Sequence, residues 1–263
     1  FAPPAAPTPW HTVRDATRIG AACPQLIIPG PESEDCLNLN IYAPPGTRAD
    51  SRLPVMVWLY GGALELGSNA QYDPSTLAAR QQVIVVAPNY RIGVFGFFAH
   101  PSLRGTGEGN YGLLDQQAAL RWIIANVAAF GGDPQRITLF GESAGATSVC
   151  AQMALPGSQG LFQGAIMQSY TCIFPDAVTS RDEAEQAGLR FASKLGCADP
   201  ATALVCLRAL SARKLGRAKS QRRGNGGANG WSPMSGGDVL PRSPREIFES
   251  GEGTLIQVFI DSN

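Results

Sequence analysis

Apolar residues form short runs along the chain, and the runs predict the strands of a sheet. Two continuous runs, LPVMVWLY at 53–60 and QVIVVAPNY at 82–90, are typical of strands that are covered on both faces. The segment at 36–44 alternates apolar and polar residues, as a half-buried strand does. Three further strands are predicted at 136–140, 164–169 and 253–260.

Helical patterns lie between these strands. In the segment 111–132, apolar residues recur at spacings of three and four, and a pair of glycines ends the predicted helix. Small and apolar residues predict a second helix at 142–155, and the segments 180–196 and 200–215 predict one helix each. Strands that alternate with helices indicate βαβ units, so we expect an α/β protein with a mostly parallel central sheet flanked by helices.

The overall charge of the chain gives no reason to expect a nucleic-acid partner. Lys plus Arg and Asp plus Glu both number 21, so the net charge is zero and nothing favours binding to nucleic acid. We interpret the basic run at 217–223 as a solvated loop.

No apolar run approaches the ~18 residues of a membrane span, so we expect no transmembrane segment. The oligomeric state is not indicated.

The six cysteines are an even number, and they leave two interpretations open. Three pairs are available: Cys23 with Cys36, Cys197 with Cys206, and Cys150 with Cys172. Disulfides would indicate an oxidising compartment, so that the protein is secreted or periplasmic. The alternative is six buried thiols in a cytosolic enzyme. There is no C-x-x-C spacing and only two histidines, so we expect no metal site and no cofactor.

The segment GESAG at 141–145 has the G-x-S-x-G spacing of a nucleophile elbow. The strand predicted at 136–140 runs into it and a helix of small residues runs out, as this strained turn requires. The residues two positions either side of the serine must then be nearly free of side chain, and Gly141 and Gly145 meet this need. An ordinary glycine-flanked turn is the alternative. The flanking elements favour Ser143 as a nucleophile.

An acyl-transfer site also needs N–H donors for the oxyanion of its tetrahedral intermediate. The N–H of Ala144, at the start of the predicted helix, is one candidate. A second source is the turn after the strand at 53–60, which begins with Gly61, Gly62 and Ala63. A glycine pair alone indicates a plain turn, but its position upstream of an elbow favours oxyanion donors.

Five longer segments occur in the order EDCLNLNIYAP, VWLYGGAL, NYRIGVFGF, NYGLLDQQAALRWI and FGGDPQRITLFGESAG. Together they resemble the type B carboxylesterase family, the cholinesterase and lipase branch of the α/β hydrolases, over nearly the whole chain. The resemblance implies that 1–263 is a single partial α/β-hydrolase domain, truncated at both ends and lacking the family's first strands and C-terminal half. It implies hydrolysis of small-molecule carboxylic esters through an acyl-enzyme on Ser143.

The resemblance also assigns supporting residues. It implies an oxyanion hole formed by the N–H groups of Gly62, Ala63 and Ala144, with Gly61 beside them. It implies the disulfides Cys23–Cys36 and Cys197–Cys206, whereas the pair Cys150–Cys172 is less general in the family.

The chain departs from the family in its oxyanion loop. Ala63 takes the third of three glycine positions, where its methyl group is expected to narrow the site. Leu64 replaces an aromatic residue, so we expect an altered pocket wall near the acyl group. Glu142 occupies a position where the family often carries Glu, and we interpret it as a buried, hydrogen-bonded carboxylate rather than as a base.

The triad of these hydrolases follows the chain order Ser, Asp or Glu, His. His11 and His100 both precede Ser143, so we expect that neither of them serves it. Asp261 follows a strand, where a triad acid often lies. The resemblance instead aligns Asp261 with a glycine and Asn263 with an asparagine, which places the acid about three residues further on and the histidine far beyond. We therefore expect the 263-residue chain alone to be poorly stable and inactive.

Three alternative interpretations remain open. The same fold serves as a non-catalytic adhesion or binding module in some family members, although such a module gains nothing from a strained serine. Amide or carbamate hydrolysis would use the same nucleophile. An inactive fragment would keep Ser143 only by ancestry.

Overall fold

The computed structural model describes residues 1–25, 30–218 and 231–261. Most of the basic run at 217–223, and Asn263, lie outside these ranges. The strands are β1 (Leu39–Tyr42), β2 (Leu53–Leu59), β3 (Ile84–Pro88), β4 (Gly132–Glu142), β5 (Gly164–Gln168), β6 (Thr179–Ser180), β7 (Met234–Ser235) and β8 (Gln257–Asp261). The helices are α1 (Ser75–Gln81), α2 (Gly93–Phe97), α3 (Tyr111–Asn126), α4 (Ala144–Ala154), α5 (Arg181–Lys194), α6 (Ala203–Arg208), α7 (Ala212–Arg217) and α8 (Pro244–Glu249).

Six of these strands form the central sheet, in the order β1-β3-β2-β4-β5-β8. Only β1 runs antiparallel, against β3, and the other pairs are parallel. The predicted α/β class with a mostly parallel sheet is confirmed. Because β3 and β4 lie on opposite sides of β2, a crevice is expected outside the carboxyl ends of the central strands.

Burial explains why these segments became strands. All five residues of β3 are buried, as expected of a strand covered on both faces. In β2 the residues Val55, Val57 and Leu59 are buried, and they alternate with partly buried residues. One face of β2 is therefore less completely covered than its continuous apolar run predicted.

Several helices differ from their predicted bounds. The single helix predicted at 200–215 is broken into α6 and α7, because the Ser211 side chain accepts a hydrogen bond from the Lys214 N–H (3.3 Å) and starts a new helix. Helix α3 ends at Asn126 rather than near 132, where β4 already begins. The short elements α1, α2, α8, β6 and β7 were not predicted.

Strand β8 lies at the edge of the described sheet, paired only with β5. Its residues Phe259 and Ile260 are 60% and 63% exposed, so this edge of the described sheet presents apolar side chains to solvent. The poor stability of the isolated chain stays a prediction. Over residues 1–25, 30–218 and 231–261, no helix combines the length and apolarity that a membrane span requires.

All six cysteines form disulfides: Cys23–Cys36, Cys150–Cys172 and Cys197–Cys206. The second of these bonds links α4, the helix that follows Ser143, to the segment after β5. The interpretation as six free thiols is wrong for this structure.

Removal of the bond between Cys150 and Cys172 by the double change C150A/C172A is expected to lower the thermal midpoint. The bond closes a sequence separation of 22 residues, for which the chain-entropy model gives about 3.5 kcal/mol. The matched control is C197A/C206A, whose separation of 9 residues gives about 2.5 kcal/mol. Thermal unfolding of both variants under oxidising conditions would contradict the prediction if the shorter loop caused the larger loss.

Glu108 predicts a pH dependence of stability. It is 1% exposed, and Arg181 Nη2 lies 3.7 Å from its Oε1 atom. Burial raises the pKa of Glu108 above its ordinary value of 4.5, and the Arg181 charge offsets this only in part. The folded state then binds the proton more tightly than the unfolded state, so the free energy of unfolding falls as pH rises above 4.5.

The variant E108Q is expected to reduce this loss of stability between about pH 4.5 and pH 7. The control E246Q acts in the opposite direction, since hydrogen bonds from Ser243 lower the pKa of Glu246 and stabilise its charged form. Urea unfolding from about pH 3 to pH 7 tests both variants, because the stabilising effect of Glu246 is lost as pH falls below its ordinary pKa of 4.5. An unchanged slope in E108Q would show that Glu108 does not titrate differently in the two states.

Candidate functional site

Ser143 lies at the junction of β4 and α4, at the carboxyl end of the sheet. Its backbone has φ 55° and ψ −121°, a region that residues with side chains rarely adopt. Its carbonyl accepts the hydrogen bond from Thr147 N–H (3.0 Å) that begins the helix, and its own N–H donates to Gln168 O of β5 (2.9 Å). The serine is thus held in the strained turn that the sequence predicted.

The flanking glycines are required by the close approach of this turn to β2. A Cβ atom added to Gly145 would lie 2.0 Å from the carbonyl oxygen of Leu59, the last residue of β2. One added to Gly141 would lie 2.6 Å from the carbonyl carbon of Gly145. Neither position leaves space for a side chain, because the opposing atoms belong to the backbone of β2 and α4 and not to the end of a flexible side chain.

The turn after β2 contacts the elbow. A Cβ added to Gly61 would lie 2.7 Å from Glu142 O and 3.3 Å from the Cβ of Ser143. This contact follows from the strand register, in which Leu59 lies opposite Gly141. The structure therefore brings together the two segments that the sequence predicted to form an acyl-transfer site.

The loop continues with three residues at positive φ: Gly62 at 117°, Ala63 at 56° and Leu64 at 58°. The left-handed region costs about 1–2 kcal/mol for a residue with a Cβ atom. The Gly62 carbonyl accepts hydrogen bonds from the N–H groups of Glu65 and Leu66, both at 3.0 Å, which close the turn.

The two departures from the family lie in different surroundings. The Ala63 side chain is exposed, whereas Leu64 is 5% exposed and packs in the main core. Burial of Leu64 helps to hold this loop. That the N–H groups of Gly62, Ala63 and Ala144 bind an oxyanion stays a prediction.

Glu142 is exposed, so its interpretation as a buried carboxylate is wrong. It is the last residue of β4, and a Cβ added to Gly61 would lie 3.1 Å from its Oε2 atom, so the turn after β2 approaches its carboxylate but leaves the residue exposed. Its charge adds to burial in raising the pKa of Tyr72.

Neither histidine has the surroundings of a catalytic base for Ser143. His11 is exposed in the entry segment. His100 is fully buried, its Nδ1 atom accepts a hydrogen bond from Ser102 N–H (3.2 Å), and it caps the short helix Pro101–Leu103. Burial also lowers the pKa of His100. Its role as a helix cap in the core agrees with the structural role expected from the sequence.

Asp261 ends β8, in register with Gln168 of β5. Its carbonyl accepts a hydrogen bond from Ser169 N–H (2.8 Å). Asp261 therefore lies at the carboxyl end of the parallel strands, as Ser143 does. The resemblance nevertheless assigned the triad acid to a later position. In the part of the chain that the structure describes, no three His, Cys, Asp or Glu side chains cluster as metal ligands.

The sequence did not predict the contact between two tyrosines that supports the start of the turn after β2. The Tyr60 hydroxyl donates to Tyr90 O (2.8 Å), and the Tyr90 hydroxyl donates to Tyr60 O. Their rings stack at 4.3 Å between centroids, and burial raises the pKa of both hydroxyls. They therefore stay neutral donors next to Gly61. Thirty residues separate them, so no local pattern predicted the pair.

A mostly parallel sheet, whose central strand passes through a strained serine into a helix, defines an α/β hydrolase. A sequence profile described as the Carboxylesterase family matches residues 1–262. The chain belongs to the carboxylesterase family.

Individual relatives agree with this assignment. The chain is 46% identical to the cocaine esterase of Oryctolagus cuniculus over 82% of its length. It is 41% identical to the acylcarnitine hydrolase of Mus musculus over 95%, and 39% identical to the para-nitrobenzyl esterase of Bacillus subtilis over 99%. These alignments cover 43%, 46% and 54% of the relatives, so the chain spans about half the length of the curated relatives it matches.

Solved structures give the same result. A structure titled PNB esterase superposes with a TM-score of 0.88 at 38% identity, covering 98% of this chain and 55% of that one. A thermophilic PNB esterase superposes with a TM-score of 0.87 at 36% identity over the same shares. The α/β-hydrolase fold class is confirmed.

Proposed function

We propose that this chain carries the nucleophile and the oxyanion hole of a serine carboxylesterase. The observation that carries the proposal is the strained Ser143, with φ 55°, in contact with the glycine turn after β2. A serine held in such a conformation is a common feature of functional sites, because folding alone does not favour it. Residues 1–263 are proposed to form one partial α/β-hydrolase domain.

In the proposed mechanism, the Ser143 hydroxyl oxygen attacks the ester carbonyl carbon while its proton passes to a general base. The N–H groups of Gly62, Ala63 and Ala144 hold the negative charge on the former carbonyl oxygen. The C–O bond of the ester breaks, and the alcohol leaves with the proton. Water then attacks the acyl-enzyme by the same route and releases the acid, which restores the Ser143 hydroxyl.

We infer that the base and the acid that orients it come from outside residues 1–263. The exposure of His11 and the burial of His100 as a helix cap support this inference, since these are the only histidines of the sequence. The isolated chain is therefore proposed to be inactive.

The proposed substrates are small-molecule carboxylic esters. The names of the relatives, which include a cocaine esterase and a para-nitrobenzyl esterase, support an ester class without indicating which acyl or alcohol group this protein prefers. The replacement of an aromatic residue by Leu64 supports an acyl pocket that differs from that of the family.

We further propose that the protein is exported. Three disulfides support an oxidising compartment. The chain is also 40% identical, over 83% of its length, to a secreted triacylglycerol lipase of Gibberella zeae.

Covalent labelling tests the nucleophile directly. The protein expressed from its complete coding sequence is treated with a fluorophosphonate probe, digested, and sequenced by mass spectrometry. We expect the adduct on Ser143 and its loss when a p-nitrophenyl ester competes. Ser148, buried on α4 within the same tryptic peptide, is an internal control that should stay unlabelled.

Two outcomes would overturn the proposal. One is ester turnover with the probe bound to a different residue. The other is the absence of both labelling and turnover in a folded protein, which would favour the non-catalytic binding module.

A further inference from the structure

The turn that would supply the oxyanion donors needs support from outside itself. Residues 61–67 include Gly62, Ala63, Leu64 and Gly67 at positive φ. Backbone in such conformations persists only where the surrounding structure fixes it. The far end of the turn is Gly67, which has φ 124°.

Gly67 folds back beneath the start of the turn. A Cβ atom added to it would lie 2.7 Å from Gly61 O and 2.5 Å from the Tyr60 ring. The Gly61 carbonyl and the Gly62 N–H belong to one trans peptide group and point in opposite directions. Gly67 therefore packs against the carbonyl side of the peptide whose N–H is a proposed oxyanion donor.

Gln25 holds Gly67 in this position with both ends of its side-chain amide. Its Nε2 atom donates to Gly67 O (2.9 Å), and its Oε1 atom accepts from Gly67 N–H (2.8 Å). Gln25 is 7% exposed, so water competes little for these hydrogen bonds. The pair fixes both the position and the orientation of the Gly67 backbone.

The Gln25 side chain is itself anchored next to a disulfide. Its Nε2 atom also donates to Cys23 O (3.1 Å), and Cys23 is bonded to Cys36. Its backbone N–H donates to the Glu32 carboxylate (3.2 Å). The amide therefore reaches Gly67, 42 residues further along the chain, from a closed loop.

We propose that Gln25 is a positioning residue of the esterase site: it holds Gly67 under the Gly61–Gly62 peptide and so aims the Gly62 N–H at the oxyanion. This inference rests on the proposed function. The oxyanion charge develops only on the way to the tetrahedral intermediate. A misoriented Gly62 N–H therefore raises the activation barrier of the chemical step without weakening substrate binding.

The test uses the protein from its complete coding sequence and the variant Q25M, which keeps the side-chain length and removes both hydrogen bonds. We expect kcat for a p-nitrophenyl ester to fall about 10- to 100-fold, less than the 10²–10³ of a deleted oxyanion donor. KM should change by less than about threefold. Inhibition by a trifluoromethyl ketone, which forms a tetrahedral oxyanion on the serine, should weaken by the same factor as kcat/KM.

The matched control is Q117M, which removes another buried glutamine whose amide donates to Ser158 Oγ (2.8 Å) away from the turn. It should lower the thermal midpoint but leave kcat unchanged. The variant Q25N keeps the amide, is shorter by one methylene, and replaces Q25M if that protein does not fold. It should show the same selective loss of kcat.

Equal decreases of kcat in Q25M and Q117M would overturn the positioning role. A change of KM in Q25M with kcat unchanged would also overturn it. The proposed function fails in a separate way, namely if S143A keeps its turnover. If S143A is inactive while Q25M and Q25N have wild-type kcat, only the role of Gln25 is wrong.

Discussion

The substitution S143A, made in the protein expressed from its complete coding sequence, is expected to lower kcat for ester hydrolysis by about 10⁶-fold. The reason is that no other atom in the strained turn can form the acyl-enzyme. The oxyanion donors and substrate binding would remain, and they keep a residual rate of about 10³–10⁴ over the uncatalysed reaction. Steady-state kinetics with a p-nitrophenyl ester give the comparison.

Folding must be separated from chemistry in this experiment. The change removes one oxygen and leaves the Cβ atom in place, so we expect the thermal midpoint to change little. The control S193A alters an exposed serine of α5 and should have wild-type kcat. If S143A turned over substrate at a rate comparable to S193A, the nucleophile would lie elsewhere in the protein.

The parts of this fold that could be predicted from the sequence are those with a regular local pattern. The continuous apolar runs became β2 and β3, and the spacing of apolar residues became α3, because each pattern is local, although the run of β2 overstated how completely its two faces are covered. The elbow was predicted for the same reason. Its glycines, its serine and its flanking strand and helix are contiguous in the chain.

The errors in the predicted elements and in the predicted burial of Glu142 have three different causes. Ser211 caps a new helix inside a segment whose apolar spacing is continuous, so one predicted helix became two. The short helices α1 and α2 have five to seven residues and so give too few turns for a periodic pattern. Glu142 was interpreted as buried, although the burial of a residue at a strand end depends on segments that pack over it.

The supports of the site could not be predicted because they are long-range hydrogen bonds between side chain and backbone. The Gln25 amide meets Gly67 across 42 residues, and the hydroxyl of Tyr90 meets Tyr60 across 30. The tyrosine contact needs the pairing of β2 with β3, and the Gln25 contact also needs the Cys23–Cys36 loop. The sequence predicted which residues form the turn, but the structure was needed to find what holds it.

Replacement of Gly145 by alanine is expected to have the second-largest effect on the site. Its added Cβ would lie 2.0 Å from Leu59 O and 3.0 Å from the carbonyl carbon of Tyr60, and neither atom belongs to a flexible side chain. The start of α4 must then move away from the end of β2. We expect a stability loss of about 1–3 kcal/mol from overpacking. A displacement of about 1 Å between Ser143 and the oxyanion turn would lower kcat about 10²-fold.

The matched control for G145A is G157A, a glycine in an exposed turn. An added Cβ there would meet only the terminal amide of Gln117, at 3.1 Å, and this side-chain end can move aside. We expect G157A to change stability by less than about 0.5 kcal/mol and to keep wild-type kcat. Thermal unfolding and ester kinetics on both variants decide the matter. If G145A matched G157A in both measurements, the elbow could retreat from β2 without effect, and the close contact between the two segments would not be what sets the geometry of Ser143.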